Sequence, residues 1–409
     1  MTSRDPLQHI VYVSREYPPS PRSYGIGSYV KEAALALVNC GYEVTVLTSA
    51  DRGAKQTCTI ENGVRVIHIA GGDVYSVDPK LKISLLEKLS LKLRFFPYRW
   101  KIRITLQSLK NVSIVEVPEY GAEGLFLQNL GLPIVVKLHI PTLLDRQTCE
   151  IKKLNFKNAA YYWYGLLEFV VVKRAAFLSS CSASLKCWYV EKLKLQPASI
   201  AVNYNFLNLA TEQLAAKKDA KISTPFVFYA GSVRQDKGVE SLIEAVALLR
   251  NKDSQIRLVL AGKVDANYRQ LLIEKFCLDP EWCKFTSHVQ REELESFYSN
   301  ATVCCLPSWY ENFPYVCLEA MSVGGIVIGS ENGGMPEIIT EGYNGFLCPP
   351  HNSEQIASKI EAAMALSSSE RAMISRNAQK TIEEKFSAKV LAVELADYYR
   401  NCIRSFVKQ

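Results

Sequence analysis

Residues 304–350 read CCLPSWYENFPYVCLEAMSVGGIVIGSENGGMPEIITEGYNGFLCPP, an alternation of apolar strands with polar turns and helix starts. An apolar strand, Thr302–Leu306, runs into the polar turn Ser308-Trp309-Tyr310-Glu311-Asn312. Asn312 has the side chain of a helix N-cap and Pro314 suits a first turn, so a helix is expected to open there. Its free amides and positive dipole end would face the C-terminal edge of the strand, a place that suits an anion. Glu311 falls just before this helix and Glu319 about two turns inside it. Carboxylates accept hydrogen bonds from vicinal hydroxyls, so a sugar or a ribose is the natural ligand of the pair. Gly325–Ser330 then reads as a second buried strand. Glu331-Asn332-Gly333-Gly334-Met335-Pro336-Glu337 opens a short helix, with glycines that permit close backbone approach.

Outward from this stretch the alternation continues. Pro225 starts a strand at Phe226–Ala230, followed by the loop Gly231–Gly238, a helix at Val239–Arg250 and a strand at Ile256–Ala261. A helix at Asn267–Phe276, a strand at Cys283–Phe285 and a helix at Arg291–Ser299 complete the approach. Such βα alternation argues a doubly wound parallel sheet. The glycine-bounded loop carries Arg234 and Lys237, cations suited to neutralising a diphosphate as charge develops on it. The polar, lysine-containing stretch Asn203–Lys221 reads as a linker, and the tail from Ser367 onward reads as helical.

In the first half, Ile10–Val13, the turn Tyr24-Gly25-Ile26-Gly27-Ser28, a helix from Tyr29 to Asn39 and a strand at Tyr42–Thr48 form a βαβ unit. The turn lies at the ligand-binding edge, but a third glycine and an acid ending the second strand are missing, so it is not the dinucleotide fingerprint. Gly63–Ala70 is another strand. Val112–Val117 and Pro133–Leu138 deliver Glu119 and His139 at their C-terminal ends, where open α/β sheets bind ligands. Glu119 is expected to help shape the acceptor side. Pro79 to Lys110 is a basic run with apolar residues interleaved, including Lys80, Lys88, Arg99, Lys101 and Arg103. A basic helix face of this kind suits an anionic membrane surface or an anionic acceptor, and more often is simply a solvated face. No nucleic-acid motif accompanies it, so nucleic acid is not expected as a partner.

A chain of 409 residues holds two domains with a good core each. With 48% hydrophobic and 22% charged residues it is globular, and its net charge of +7 is modest. The 12 cysteines show no metal-ligand spacing, and neither an export signal nor a spanning apolar run is read, so reduced thiols and a cytoplasmic location are expected. No Asp-x-Asp occurs, so neither a metal-bridged diphosphate nor any cofactor is expected.

Taken together, Glu311-x7-Glu319 with Asn312-Phe313-Pro314 inside it and Gly333-Gly334-Met335-Pro336-Glu337 behind it resembles the donor-site signature of retaining glycosyltransferases of family 4, the glycosyl transferases group 1. The resemblance implies an α/β fold of the GT-B type, two Rossmann-like doubly wound parallel-sheet domains facing a cleft. It places an acceptor-side domain at 1–210, a nucleotide-sugar donor domain at 222–385, and a C-terminal helix at 386–409 crossing back to the first domain. The activity implied is retaining, metal-independent transfer of a sugar from a nucleotide-diphospho-sugar, a UDP- or GDP-sugar ahead of an ADP-sugar, to a saccharide, lipid-linked or small-molecule acceptor. A peripheral place at the inner membrane face, through 80–110, would go with a lipid-linked acceptor.

Residue by residue, the resemblance assigns catalytic roles to Glu311, His139 and Lys237. Gly25, Gly27, Arg234, Lys237, Glu311, Asn312, Phe313, Pro314 and Glu319 would bind the donor. Glu319 would hold the ribose, Glu311 and the Asn312–Phe313 amides the sugar hydroxyls, Lys237 the diphosphate, and His139 the donor sugar from the first domain. Three departures stand out: Tyr24 for the first glycine of the family's glycine-rich loop, Ser232 for its phosphate-loop arginine, and Ser287 for a glycine lining the base site. They motivate an alternative, a non-catalytic nucleotide-sugar-binding or assembly protein on the same fold.

Overall fold

Short β-branched and aromatic runs alternate with longer amphipathic ones along the chain, and a computed structural model folds them into two parallel sheets. It describes residues 5–19, 25–51, 54–71, 95–144, 159–209, 225–252, 255–286 and 289–408. Tyr24, Ser287 and the basic run up to residue 94 lie outside the described residues.

The first sheet is built from β1 (His9–Val13), then α1 (Gly25–Asn39), β2 (Glu43–Ser49), β3 (Thr57–Glu61) and β4 (Val64–Ile69). After α2 (Phe95–Ser108) come β5 (Ile114–Pro118), β6 (Ile134–Leu138), α3 (Ala159–Arg174), β7 (Phe177–Ser180), α4 (Ala183–Leu193) and β8 (Ile200–Val202). The eight strands run in the order β3-β4-β2-β1-β5-β6-β7-β8. All pairs are parallel except β3 with β4. That hairpin turns at Asn62-Gly63, both with positive φ, the backbone a two-residue primed turn demands. Every residue of β1 and β5 is buried, as expected for central strands covered on both faces. Strand order reverses between β1 and β5, so the segments leaving these two strands flank the natural ligand position of the sheet.

The second sheet takes β9 (Phe226–Ala230), α5 (Val239–Asn251), β10 (Arg257–Ala261), α6 (Ala266–Phe276), β11 (Cys283–Thr286), α7 (Arg291–Asn300) and β12 (Val303–Leu306). It continues through α8 (Tyr315–Ser322), β13 (Val327–Ser330), the short α9 (Met335–Ile338) and β14 (Phe346–Cys348). Two helices follow, α10 (Ser353–Met364) and α11 (Ser368–Lys385), the latter opened by a capping box between Ser367 and Glu370. The strand order is β11-β10-β9-β12-β13-β14, all parallel, with the reversal between β9 and β12.

Two compact units result, divided at Asn208/Leu209 and again at Ser387/Ala388. The last helix, α12 (Ala388–Val407), belongs with the first unit. Its Tyr399 Oη donates to Glu116 Oε2 at 2.8 Å and lies 3.0 Å from Tyr12 Oη, and Tyr398 Oη donates to Leu178 O at 3.0 Å. Arg400 pairs with Asp5 at 3.0 Å.

Three local readings are corrected. The helix after β12 begins at Tyr315, with Pro314 (φ −78°, ψ 130°) as its cap, so Asn312 is no N-cap. The reason is that the residue before a proline is held out of the helical region, and Glu311 is already bridged to Gly333. Glu319 is therefore the fifth helical residue, about one turn in and not two. Gly25 and Gly27 sit in the first turn of α1 itself, which starts four residues earlier than Tyr29. Finally, α2 does not present a simple basic face. Arg99 is buried, with Nε donating to Gly121 O and Ala122 O at 3.0 Å and Nη1 to Phe95 O at 2.9 Å. Lys101 and Arg103 also donate to backbone carbonyls, of Ala70 and of Phe126 and Gln128.

Candidate active site

In the second unit three loops leave neighbouring strands at the C-terminal edge and are tied to one another through backbone. The loop after β9 joins the turn after β12 where Trp309 N donates to Asp236 O at 2.9 Å. The turn after β12 joins the loop after β13 through the Glu311↔Gly333 bridge and the bond from Gly334 N to Glu311 O at 2.7 Å. Asn332 Nδ2 adds a bond to Trp309 O at 3.1 Å. Main-chain contacts of this kind fix Cα positions, so side chains on these loops start from a rigid base.

Lys237 and Glu311 meet there. Lys237 Nζ donates to Glu311 Oε1 at 2.6 Å, and Ser308 Oγ donates to the same oxygen at 3.2 Å. Burial works against the lysine's charge, but the carboxylate's charge and hydrogen bond hold its pKa above the ordinary range. The ammonium is therefore a fixed cation beside a fixed carboxylate at the sheet's switch point. Phe313 is buried and packs edge-on to Phe386, and Asn312 is also buried. Asn312 Oδ1 has no hydrogen-bond partner, an orphan that a ligand hydroxyl would satisfy. Glu319 on α8 accepts from Tyr298 Oη at 3.4 Å. Arg234 is drawn aside: Nε donates to Asp236 Oδ1 at 2.8 Å, Nη2 donates to Oδ2, and its side chain is 54% exposed.

In the first unit His139 follows β6. Its backbone N–H donates to both oxygens of Glu119 at 2.8 and 2.9 Å, and its ring lies edge-on to Tyr29, centroids 5.0 Å apart. Burial, helped by the charge of Lys137, pushes the imidazole well below its ordinary pKa, so it is neutral at neutral pH. Glu119 is fully buried and so does not line an acceptor surface as expected; it braces the His139 backbone. Buried Glu168 accepts from Gly121 N and Thr142 N, and buried Glu123 accepts from Arg15 N, so three carboxylates organise the loops after β1, β5 and β6. Gly25 is exposed and Gly27 buried.

Sequence reasoning overlooked Ser308, Asp236, Tyr298 and the bracing glutamates. Lys137 and Glu116, charged residues inside otherwise apolar strands, carry a signal legible in the sequence. Both are buried, and Tyr29 Oη and Tyr399 Oη donate to Glu116 at 2.9 and 2.8 Å.

Burial and the charge of Glu168 push the Glu119 carboxyl up to about 8. Glu119 therefore binds a proton in the folded chain, and not in the unfolded one, between its ordinary 4.5 and about 8. The stability this contributes is full below 4.5 and lost as pH rises through about 8. Glu119→Gln removes that loss: relative to wild type it should gain about 2–4 kcal/mol between pH 5 and 8.5, read by urea denaturation across pH. Parallel stability curves for the two proteins would exclude a titrating Glu119.

Comparison with known proteins agrees with this geometry. The family model for glycosyl transferases group 1 matches residues 211–381, and that for glycosyltransferase family 4 matches residues 24–211. An uncharacterized glycosyltransferase of Methanocaldococcus jannaschii is 31% identical over 96% of this chain and 97% of its own. A D-inositol 3-phosphate glycosyltransferase of Pseudarthrobacter chlorophenolicus is 26% identical over 85% of this chain and 83% of its own. Among solved structures, sucrose-phosphate synthase from Thermosynechococcus elongatus superposes with a TM-score of 0.77 at 20% identity, covering 97% of this chain and 100% of that one. Anabaena HepE, solved with UDP-glucose, gives 0.70 at 16% identity, covering 96% and 99%. The fold and the loop constellation define a GT-B glycosyltransferase that takes a nucleotide-sugar donor. The chain belongs to the glycosyl transferases group 1, family 4.

Proposed function

We propose that the chain moves a hexosyl group from a nucleoside-diphosphate sugar to a saccharide or lipid-linked acceptor with retention at the anomeric carbon and without a metal ion. The observation that carries this is the Lys237–Glu311 pair, a cation and a carboxylate held 2.6 Å apart by three backbone-linked loops. Lys237 neutralises the diphosphate as the bond from the anomeric carbon to its oxygen breaks, in place of a metal. Glu311, Asn312 and the adjacent amides hold sugar hydroxyls, Glu319 holds the ribose, and His139, as a neutral imidazole, hydrogen-bonds the donor sugar. The acceptor oxygen attacks from the face the diphosphate leaves, and its proton passes to the departing phosphate oxygen. UDP-glucose in the Anabaena HepE structure supports ranking a uridine nucleotide first.

The finer placement, a peripheral one at a membrane surface, is supported by α2. Phe96, Trp100 and Ile104, spaced one turn apart, are 44%, 51% and 54% exposed, an apolar stripe more than a basic one. No helix among the described residues is long and apolar enough to cross a membrane.

The test is slow donor hydrolysis and binding across UDP-, GDP- and ADP-sugars, with Glu319→Ala beside wild type. One nucleotide should be released, and Glu319→Ala should weaken donor binding about tenfold or more. Binding without turnover, even with mixed acceptors, would favour the non-catalytic alternative instead.

A further inference from the structure

We propose that Lys263, at the end of the strand beside the phosphate loop, supplies the diphosphate-binding cation that Ser232 lacks. The inference rests on the reading above, in which the Gly231–Gly238 loop receives a diphosphate. It starts from a register. β9 and β10 are paired through Ala230↔Ala261, and the ladder resumes at the bridge Val233↔Val264. Two residues lie between those pairs on each strand, so Ser232 stands opposite Lys263. Hydrogen bonds hold this register: Gly231 N donates to Ala261 O and Val233 N to Lys263 O, each at 2.9 Å. The two chains are also pressed together, since a Cβ on Gly262 would lie 1.9 Å from Gly231 O.

Residues paired across a parallel ladder sit about 4.8 Å apart with side chains on the same face. Val233 is buried, so its ladder neighbours Ser232 and Lys263 take the other face together. A long cation at 263 therefore projects beside the position where the family carries its arginine. The remaining charges support this assignment. Arg234 is engaged by Asp236, and Lys237 by Glu311. The Lys263 side chain is exposed, and among the described residues its ammonium makes neither ion pair nor hydrogen bond. The nearest acid in sequence, Asp265, spends its carboxylate capping α6 through Asn267 N and Tyr268 N at 3.0 and 3.1 Å. Arg234 is thus turned aside and Lys237 is shared with Glu311, whereas the uncommitted ammonium of Lys263 stands in register with the departure.

The experiment is calorimetric titration of the full chain with UDP, GDP and ADP, and with uridine, guanosine and adenosine. Lys263→Ala should weaken the preferred diphosphate on the order of tenfold, leave the matching nucleoside unchanged, and be rescued by Lys263→Arg. Ser232→Arg should restore affinity in the Lys263→Ala background, because it returns a cation to the same face. Equal losses for nucleoside and diphosphate, or no restoration by Ser232→Arg, overturn the assignment. If Lys263→Ala binds like wild type while Lys237→Ala is weakened, this inference fails and the transferase reading stands. If wild type binds no nucleoside diphosphate, the transferase reading fails and takes this one with it.

Discussion

Replacing Glu311 by glutamine is expected to slow glycosyl transfer by about a hundred- to a thousandfold at saturating donor, with nucleotide affinity unchanged or slightly tighter. The two halves of that expectation come from one contact. Glu311 Oε1 accepts from Lys237 Nζ at 2.6 Å and from Ser308 Oγ at 3.2 Å, so the carboxylate holds the lysine in place, and in the proposed reaction it also faces the sugar. Glutamine keeps the shape and one acceptor oxygen but removes the charge. Lys237 then loses its counter-ion and turns more fully toward a bound diphosphate, which protects affinity. The sugar loses the carboxylate that strengthens its hydrogen bonds as positive charge develops at the anomeric carbon, which lowers turnover. Steady-state kinetics combined with nucleotide titration separates the two. Wild-type turnover in this variant would remove Glu311 from the chemistry. A large loss of nucleotide binding would show that the pair is a structural brace.

The parts of the fold that were legible in sequence are those set by local pattern. The βα alternation from Phe226 to Ser330 reads directly because buried parallel strands are continuous apolar runs and the helices between them are amphipathic. The hairpin at Asn62-Gly63 shows its turn dipeptide in the sequence, but β3, Thr57–Glu61, is exposed and lacks the apolar run that marks a strand. Propensity alone caps α8 at Asn312, whereas Pro314 and the Glu311↔Gly333 bridge decide the backbone there. Tertiary bonding overrode a local preference.

The candidate site was legible where one motif carries several groups, as with Glu311, Asn312 and Phe313, and illegible where partners come from distant segments. Nothing near Arg234 in pattern alone says that Asp236 holds it; only side-chain geometry does. The buried charges of the first unit show the same limit. Lys137, Glu116, Tyr29 and Tyr399 come from four separated stretches, and the last of them lies on the final helix. Lys137 Nζ sits 4.7 Å from the centroid of Tyr29, whose ring also packs on His139. The neutral state of His139 comes from burial and from the charge of Lys137, which faces the same Tyr29 ring, and no single stretch of sequence reveals it.

Gly333→Ala is expected to cost about 2–4 kcal/mol of stability and most of the transferase activity, while Gly342→Ala costs about 1 kcal/mol and little activity. Both glycines have left-handed backbone, φ 76° and 71°, so the conformational penalty for a Cβ is shared. They differ in surroundings. A Cβ at Gly342 meets nothing within 4 Å, whereas one at Gly333 would lie 2.1 Å from Glu311 O. That contact cannot be relieved by a rotamer change, because its partner is backbone. Relief requires separating the loop after β13 from the turn after β12, which breaks the Glu311↔Gly333 bridge and the 2.7 Å bond from Gly334 N to Glu311 O. The Cα of Glu311 must then move, and if its carboxylate has the proposed role a displacement of about 1 Å is enough to cost on the order of a hundredfold in rate. Urea denaturation of the two variants measures the difference in stability, and turnover at saturating donor measures the displacement. Equal destabilisation by the two alanines would mean that the loops yield easily. The close backbone approach, and with it the rigid placement of Glu311 beside Lys237, would then not be what the Gly-Gly pair provides.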